Sequence, residues 1–102
     1  PSLRAIAAEC FDRPIVPPND LTDAPFAGVP TFIKDGADVA GLPTRHGSNA
    51  LGQVGPADTT QPVAEMLLRL GMVCLGKSTL PEFGLTASTE FPDGSATRNP
   101  WN

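Results

Sequence analysis

The sequence predicts an α/β fold containing at least one parallel strand pair, and three observations lead there. Two short apolar runs, within residues 29–34 and 72–75, carry the β-branched and aromatic residues of buried strands. Between them, residues 62–70 place apolar side chains at helical spacing. A Gly- and Pro-rich stretch joins the first run to that helix. Strand, loop, helix and strand in that order make a crossover unit, and ligands of such sheets bind beyond the carboxyl ends of the strands. With 102 residues, of which 40% are hydrophobic, the chain has material for one modest core. Its twelve prolines and ten glycines are scattered among apolar pieces, the pattern of a turn-rich globular chain.

Taken in order, Leu3, Ile6, Ala7, Cys10 and Phe11 fall at i, i+3, i+4, i+7 and i+8, which predicts a helix over about 2–12 with Ser2 as cap and Pro14 as stop. Residues 14–27 hold four prolines and no periodicity, so they read as an extended connector. The run "VPTFIK" follows as a buried strand over 29–34, closed by the turn pair Asp35-Gly36. "DVAGLPTRHGSNALG" alternates short apolar pieces with Gly and Pro and reads as a long functional loop. Pro62 suits a first helical turn, and Val63, Met66, Leu67 and Leu70 form the stripe of a helix over 62–70 that Gly71 stops. "MVCL", residues 72–75, is then a second buried strand.

Composition excludes several function classes. A net charge of −4 and a pI near 4.6 oppose phosphate-backbone binding, so no nucleic-acid partner is expected. No apolar run approaches the roughly 20 residues that cross a bilayer, and "PSLRAIAAEC" lacks a basic leader with an apolar core. The expectation is a soluble, cytoplasmic protein without a membrane partner. Cys10 and Cys74 lie in apolar surroundings and read as reduced core thiols. His46 is the single histidine, so neither a metal cluster nor a histidine-based triad is expected, and a loop position is.

"GMVCLGKST", residues 71–79, matches the phosphate-loop pattern letter for letter. Its flanks contradict the match. The four variable positions are Met72, Val73, Cys74 and Leu75, an apolar strand where a phosphate-cradling nest belongs, and Pro81 and Gly84 interrupt the helix that should follow. Lys34 and Lys77 instead stand at the ends of apolar runs, where desolvation disfavours an ammonium and favours a general base. Lys34, directly after Phe32 and Ile33, is the better candidate, Lys77 lying in a more polar Gly-Lys-Ser-Thr stretch.

Three linked segments, "FAGVPTFIKDGADVAGLPTRHGS", "PVAEMLLRLGMVCLGKSTLPEFGLTAS" and "TRNPWN", resemble the amidase-signature family of serine hydrolases over residues 26–102. The resemblance implies the N-terminal part of that fold, a mixed, mostly parallel sheet flanked by helices. It implies hydrolysis of an amide, and in some members of an ester, by a Ser–cisSer–Lys triad with Lys34 as the base and no metal or organic cofactor. It implies a small-molecule amide as substrate, with Gly84, Leu85 and Thr86 lining the acyl cleft. In the family a Gly- and Ser-rich segment carrying both serines follows Asn-Pro-Trp. None of Ser2, Ser48, Ser78, Ser88 or Ser95 lies in a Gly-Gly-Ser-Ser context, so the serine pair is expected beyond Asn102 and these residues alone are expected to be inactive. Gly36 departs from the Asn or other polar residue that is frequent there.

The remaining polar residues have plainer roles. Asp35 and Asp38, beside a turn, are expected to fix backbone N–H groups, Glu82 to hydrogen-bond structurally, and Ser95 to serve the Asp93-Gly94 turn. Phe32, Ile33, Val73 and Leu75 are expected to remain uncovered in so short a chain, favouring association with a second chain, a homo-oligomer among the outcomes. An amidase, a non-catalytic or amidotransferase subunit of the same fold, and a nucleotide-binding module are the readings to separate.

Overall fold

The computed structural model describes residues 2–17 and 22–101. Its centre is a three-stranded mixed sheet in the order β1-β3-β2, built from β1 (Ile6–Glu9), β2 (Pro30–Lys34) and β3 (Val73–Ser78). β2 runs parallel to β3 and β1 antiparallel to it. Helix α1 (Pro62–Arg69) is the crossover between the parallel strands.

The segment expected to be a helix over 2–12 is instead β1 and its flanks. Apolar residues at i, i+3 and i+4 suit a helix, yet β3 is the central strand and its second edge needs partners for its backbone groups. Residues 5–15 supply them: Thr79 N–H donates to the Ala5 carbonyl at 3.0 Å, Cys10 N–H to Leu75 at 3.0 Å, and Ile15 N–H to Cys74 at 3.0 Å. Arg4, at φ 50°, lies outside helical geometry. The connector is also less extended than expected. Residues 22–28 are mostly turns tied to the end of the helix, with Phe26 N–H on the Leu70 carbonyl and Gly28 N–H on that of Gly71, both at 3.0 Å. Residues 18–21 of that connector lie outside the described residues.

α1 begins with Pro62 in its first turn, where a missing N–H costs nothing, and ends at Leu70 before Gly71 at φ +94°. The helix turns a different face inward from the stripe read in the sequence. Ala64 and Leu68 are buried, while Val63 and Met66 are 53% and 55% exposed. The small Ala64 lets the helix approach the sheet, and the core gathers Ile33, Cys74, Ala64 and Leu68 with Val39 and Leu42 of the loop after β2. That loop is tied back across itself, Gly41 N–H reaching the Ala57 carbonyl at 2.9 Å and Ala57 N–H that of Leu42 at 3.0 Å. Both cysteines are free, Cys74 fully buried, and burial pushes the Cys10 thiol above its ordinary pKa. Among the described residues no helix is long and apolar enough to cross a membrane.

Candidate functional site

Because β2 and β3 are parallel, their carboxyl ends share one edge of the sheet, and the Lys34 and Ser78 positions face each other in register there. Ile6 of β1 is aligned with Ser78 from the other side, so the three positions run across the sheet. Successive residues of a strand point to opposite faces. Ile33 is 4% exposed on the helix side, which sends Lys34 to the other face, where it is exposed to solvent. The apolar run before it therefore does not desolvate it.

The desolvated lysine is Lys77. It is paired in register with Ile33, hence shares the core face, and is fully buried. Its amine donates to Thr44 Oγ1 at 2.8 Å and the Pro43 carbonyl at 3.4 Å, and stands 3.6 Å from Asp35 Oδ1. Thr44, its lone pair so engaged, directs its own hydroxyl to the Ala37 carbonyl at 3.5 Å. Burial pulls the Lys77 amine below an ordinary lysine, and the Asp35 carboxylate opposes that shift without cancelling it. Sequence reading named Lys77 but ranked Lys34 above it as the desolvated lysine. Strand alternation carried forward from Ile33 would have exposed Lys34, but placing Lys77 inward required the inter-strand register.

Asp35 fixes backbone N–H groups, as the turn context suggested: Oδ1 accepts from Arg45 at 3.1 Å and Oδ2 from Gly47 at 3.3 Å. Its own N–H donates to the Ser78 carbonyl at 2.9 Å and its carbonyl accepts from His46 at 3.0 Å. The residue is 3% exposed. Asp38 accepts from the Gln61 side chain at 3.5 Å. His46 is in the loop, as expected, with its ring stacked on Phe83 at 6.3 Å and its carbonyl accepting from Phe83 N–H at 2.7 Å. Glu82 has a structural bond: Ser48 Oγ donates to it at 2.5 Å. Gly47 permits this close docking, since a β-carbon there would lie 2.1 Å from the Leu80 carbonyl oxygen. Ser95 N–H donates to Asp93 Oδ1 at 2.8 Å in its turn.

A cavity of about 230 Å³ opens beside this loop, lined among others by Arg4, Asp35, Arg45, Ser48 and Asn49. Lys34, Gly84, Leu85 and Thr86 are not in its walls. The latter three follow Glu82 on the surface, all exposed. Among the described residues no serine hydroxyl bonds to Lys34, and no three His, Cys, Asp or Glu side chains gather to hold a metal. The phosphate-loop match folds as strand β3 with Lys77 sealed inside, followed by the short 3-10 turn Glu82–Gly84, so neither nest nor helix is present.

Comparison with known proteins agrees with the motif resemblance. The profile of the Amidase family matches residues 5–102. The protein named "Putative amidase AmiC" in Mycobacterium tuberculosis (strain ATCC 25618 / H37Rv) is 42% identical over 104 residues, covering 100% of this chain and 22% of the relative. A glutamyl-tRNA(Gln) amidotransferase subunit of Methanosarcina acetivorans is 46% identical over 81 residues, covering 78% of this chain and 17% of the relative. Among solved structures, 6-aminohexanoate cyclic dimer hydrolase superposes with a TM-score of 0.69 at 36% identity, over 78% of this chain and 17% of that one. A chain of a vestigial complex related to an s-triazine catabolic enzyme shares the fold with a TM-score of 0.79 at 24% identity, over 98% of this chain and 24% of that one. The chain thus spans about a fifth of the length of the relatives it matches. On its motifs, its fold and this match across nearly its whole length, the chain belongs to the amidase-signature family.

Proposed function

We propose that the full-length protein hydrolyses a small carboxylic amide to the acid and ammonia or an amine by a Ser–cisSer–Lys mechanism, with Lys34 as general base. The observation that carries this reading is the place of Lys34: the last residue of β2, at the carboxyl edge of the parallel pair, on the sheet face that α1 does not cover. Neutral Lys34 takes a proton through the bridging serine while the nucleophilic serine attacks the carbonyl. The C–N bond then breaks, the proton passes to the leaving nitrogen, and water hydrolyses the acyl ester. Residues 1–102 supply the base and not the serine pair, so by themselves they are inactive. Gly84, Leu85 and Thr86, which follow β3 at the turn after Pro81, form part of the acyl cleft, in a cytoplasmic enzyme with no cofactor.

A second reading, an amidotransferase component, is favoured by the 46% identity to the Methanosarcina acetivorans protein. It uses the same base on a different amide donor and acceptor.

Kinetics of the full-length protein on simple aliphatic and aromatic amides test the proposal. Lys34→Ala lowers kcat by about 10²–10⁴-fold or more with an unchanged melting temperature, a typical range for loss of a base. Lys34→Arg does not rescue it, because a guanidinium does not deprotonate in a protein. Turnover near the parent value in Lys34→Ala overturns the assignment.

A further inference from the structure

Lys34 and Asp35 are chain neighbours, yet their side chains are used on opposite faces of the sheet. A carboxylate beside a catalytic lysine favours its ammonium form and so works against a base that must be neutral. Here the Asp35 carboxylate is withdrawn: 3% exposed, held by the N–H groups of Arg45 and Gly47 at 3.1 and 3.3 Å, and facing the Lys77 ammonium at 3.6 Å. Lys77 is the strand partner of Ile33, the residue before Lys34, and so belongs to the same rigid parallel pair.

We propose that Lys77 is a positioning residue for the reaction of Lys34: it binds the Asp35 carboxylate on the helix-side face, fixes the turn that begins there, and keeps that charge from pairing with Lys34. This rests on Lys34 being the base. Among the described residues Lys77 is the cation paired with Asp35, while the Arg45 side chain lines the same cavity with its buried Nε free of any hydrogen bond. α1 contributes Ala64 and Leu68 to this core, with Leu67 packed half-buried against it, and none of the three is charged. β3 contributes Cys74 and Lys77. The turn and loop after β2 contribute Asp38, whose carboxylate accepts from Gln61, Arg45, whose backbone N–H binds Asp35, and His46, whose ring lies on Phe83. β1 contributes Glu9, exposed and opposite Gly76, and Ala8 opposite Lys77. On the far face, Lys34 shares its side of the sheet with Phe32, and Ser78 lies beside it in register. Desolvation lowers the pKa of the Lys77 amine, and the Asp35 carboxylate at 3.6 Å opposes that lowering.

The test is the pH dependence of kcat/KM in the full-length protein for the parent, Lys77→Met, Asp35→Asn and the double variant, with Lys34→Ala alongside. Lys77→Met leaves a buried carboxylate without its cation, so the acid limb moves to higher pH by roughly one unit or more. Asp35→Asn leaves the desolvated Lys77 amine without its carboxylate, so that amine becomes neutral, no net charge is added beside Lys34 and the limb stays in place; the double variant likewise keeps the parent limb. A residue that only supports the fold lowers kcat in Lys77→Met without moving the limb, and that result overturns the proposal. So does a shift to lower pH in Asp35→Asn, which would mean that Asp35 acts on Lys34 directly. If Lys77→Met does not fold, Asp35→Asn and the double variant decide, a displaced limb in either being contrary. Full activity of Lys34→Ala removes the base assignment itself, a failure visible separately from that of Lys77.

Discussion

Asp35 shows how much one residue organises at this edge, since its carboxylate binds Arg45 and Gly47 while its backbone N–H and carbonyl bind Ser78 and His46. This role was legible, because an Asp before Gly at a strand end has backbone donors within reach. Which of the two lysines is desolvated was not read correctly: Lys77 is buried and Lys34 exposed. The sequence offers Lys34 the more apolar neighbours, but neighbours in sequence alternate between faces, and what surrounds a strand residue is set by the adjacent strand. At the same scale, Gly47 at φ +67° sits against the Leu80 carbonyl. Gly47→Ala is expected to lower stability by about 2 kcal/mol or more, from the left-handed backbone and the clash together, as read by denaturant unfolding. Gly84, at φ +70°, would strain any side chain, so Leu85→Ala and Thr86→Val are the sounder probes of the acyl cleft. Each should change KM or acyl preference with little change in melting temperature, and unchanged kinetics in both would remove these residues from the cleft.

At the level of elements, α1 was legible because its signals are local: Pro62 at the start, Gly71 after the end, and helical spacing between. Which face it buries was not, since Ala64 and Leu68 win on fit to Ile33 and Cys74 and not on total apolarity. Leu68→Ala should cost about 2–5 kcal/mol in unfolding experiments, whereas Met66→Ala, on the open side, should cost less than Leu68→Ala. β1 was misread because its reason to be extended is the edge of β3, some seventy residues away in the chain. The buried Lys77 gives the sheet a pH dependence whose sign follows from its lowered pKa. Between its folded value and the ordinary 10.5, the unfolded chain binds more protons, so stability rises with pH through that window. Chemical denaturation of the full-length protein should therefore show an alkaline gain that is absent in the Asp35→Asn, Lys77→Met double variant.

Across the whole molecule, apolar surface is left open on more than one side. Ile6, Phe11, Val63, Met66, Phe83, Leu85 and Trp101 are all more than two-fifths exposed, the last at 91%. Of the four residues expected to remain uncovered, Ile33 is buried and Phe32, Val73 and Leu75 are half-buried. The open surface lies instead on β1 and its flanks, just before β2 at Phe26 and Val29, at Val54, on the outer side of α1 and in the segment after β3. A radius of gyration of 14.2 Å exceeds the roughly 13 Å of a compact chain of this size. Residues 1–102 expressed alone should therefore aggregate or unfold without a sharp transition, which light scattering and thermal unfolding would report. Family membership was legible because three motifs in fixed order were present, whereas the sites of the serines were not. The central claim, that Lys34 activates a serine supplied by another part of the protein, is tested most directly by labelling with a fluorophosphonate and mapping the modified residue. The account predicts one labelled serine in the full-length protein, outside residues 1–102, at a rate that falls by orders of magnitude in Lys34→Ala. Label on Ser48, Ser78 or another serine of this chain, or an undiminished rate in Lys34→Ala, would contradict it.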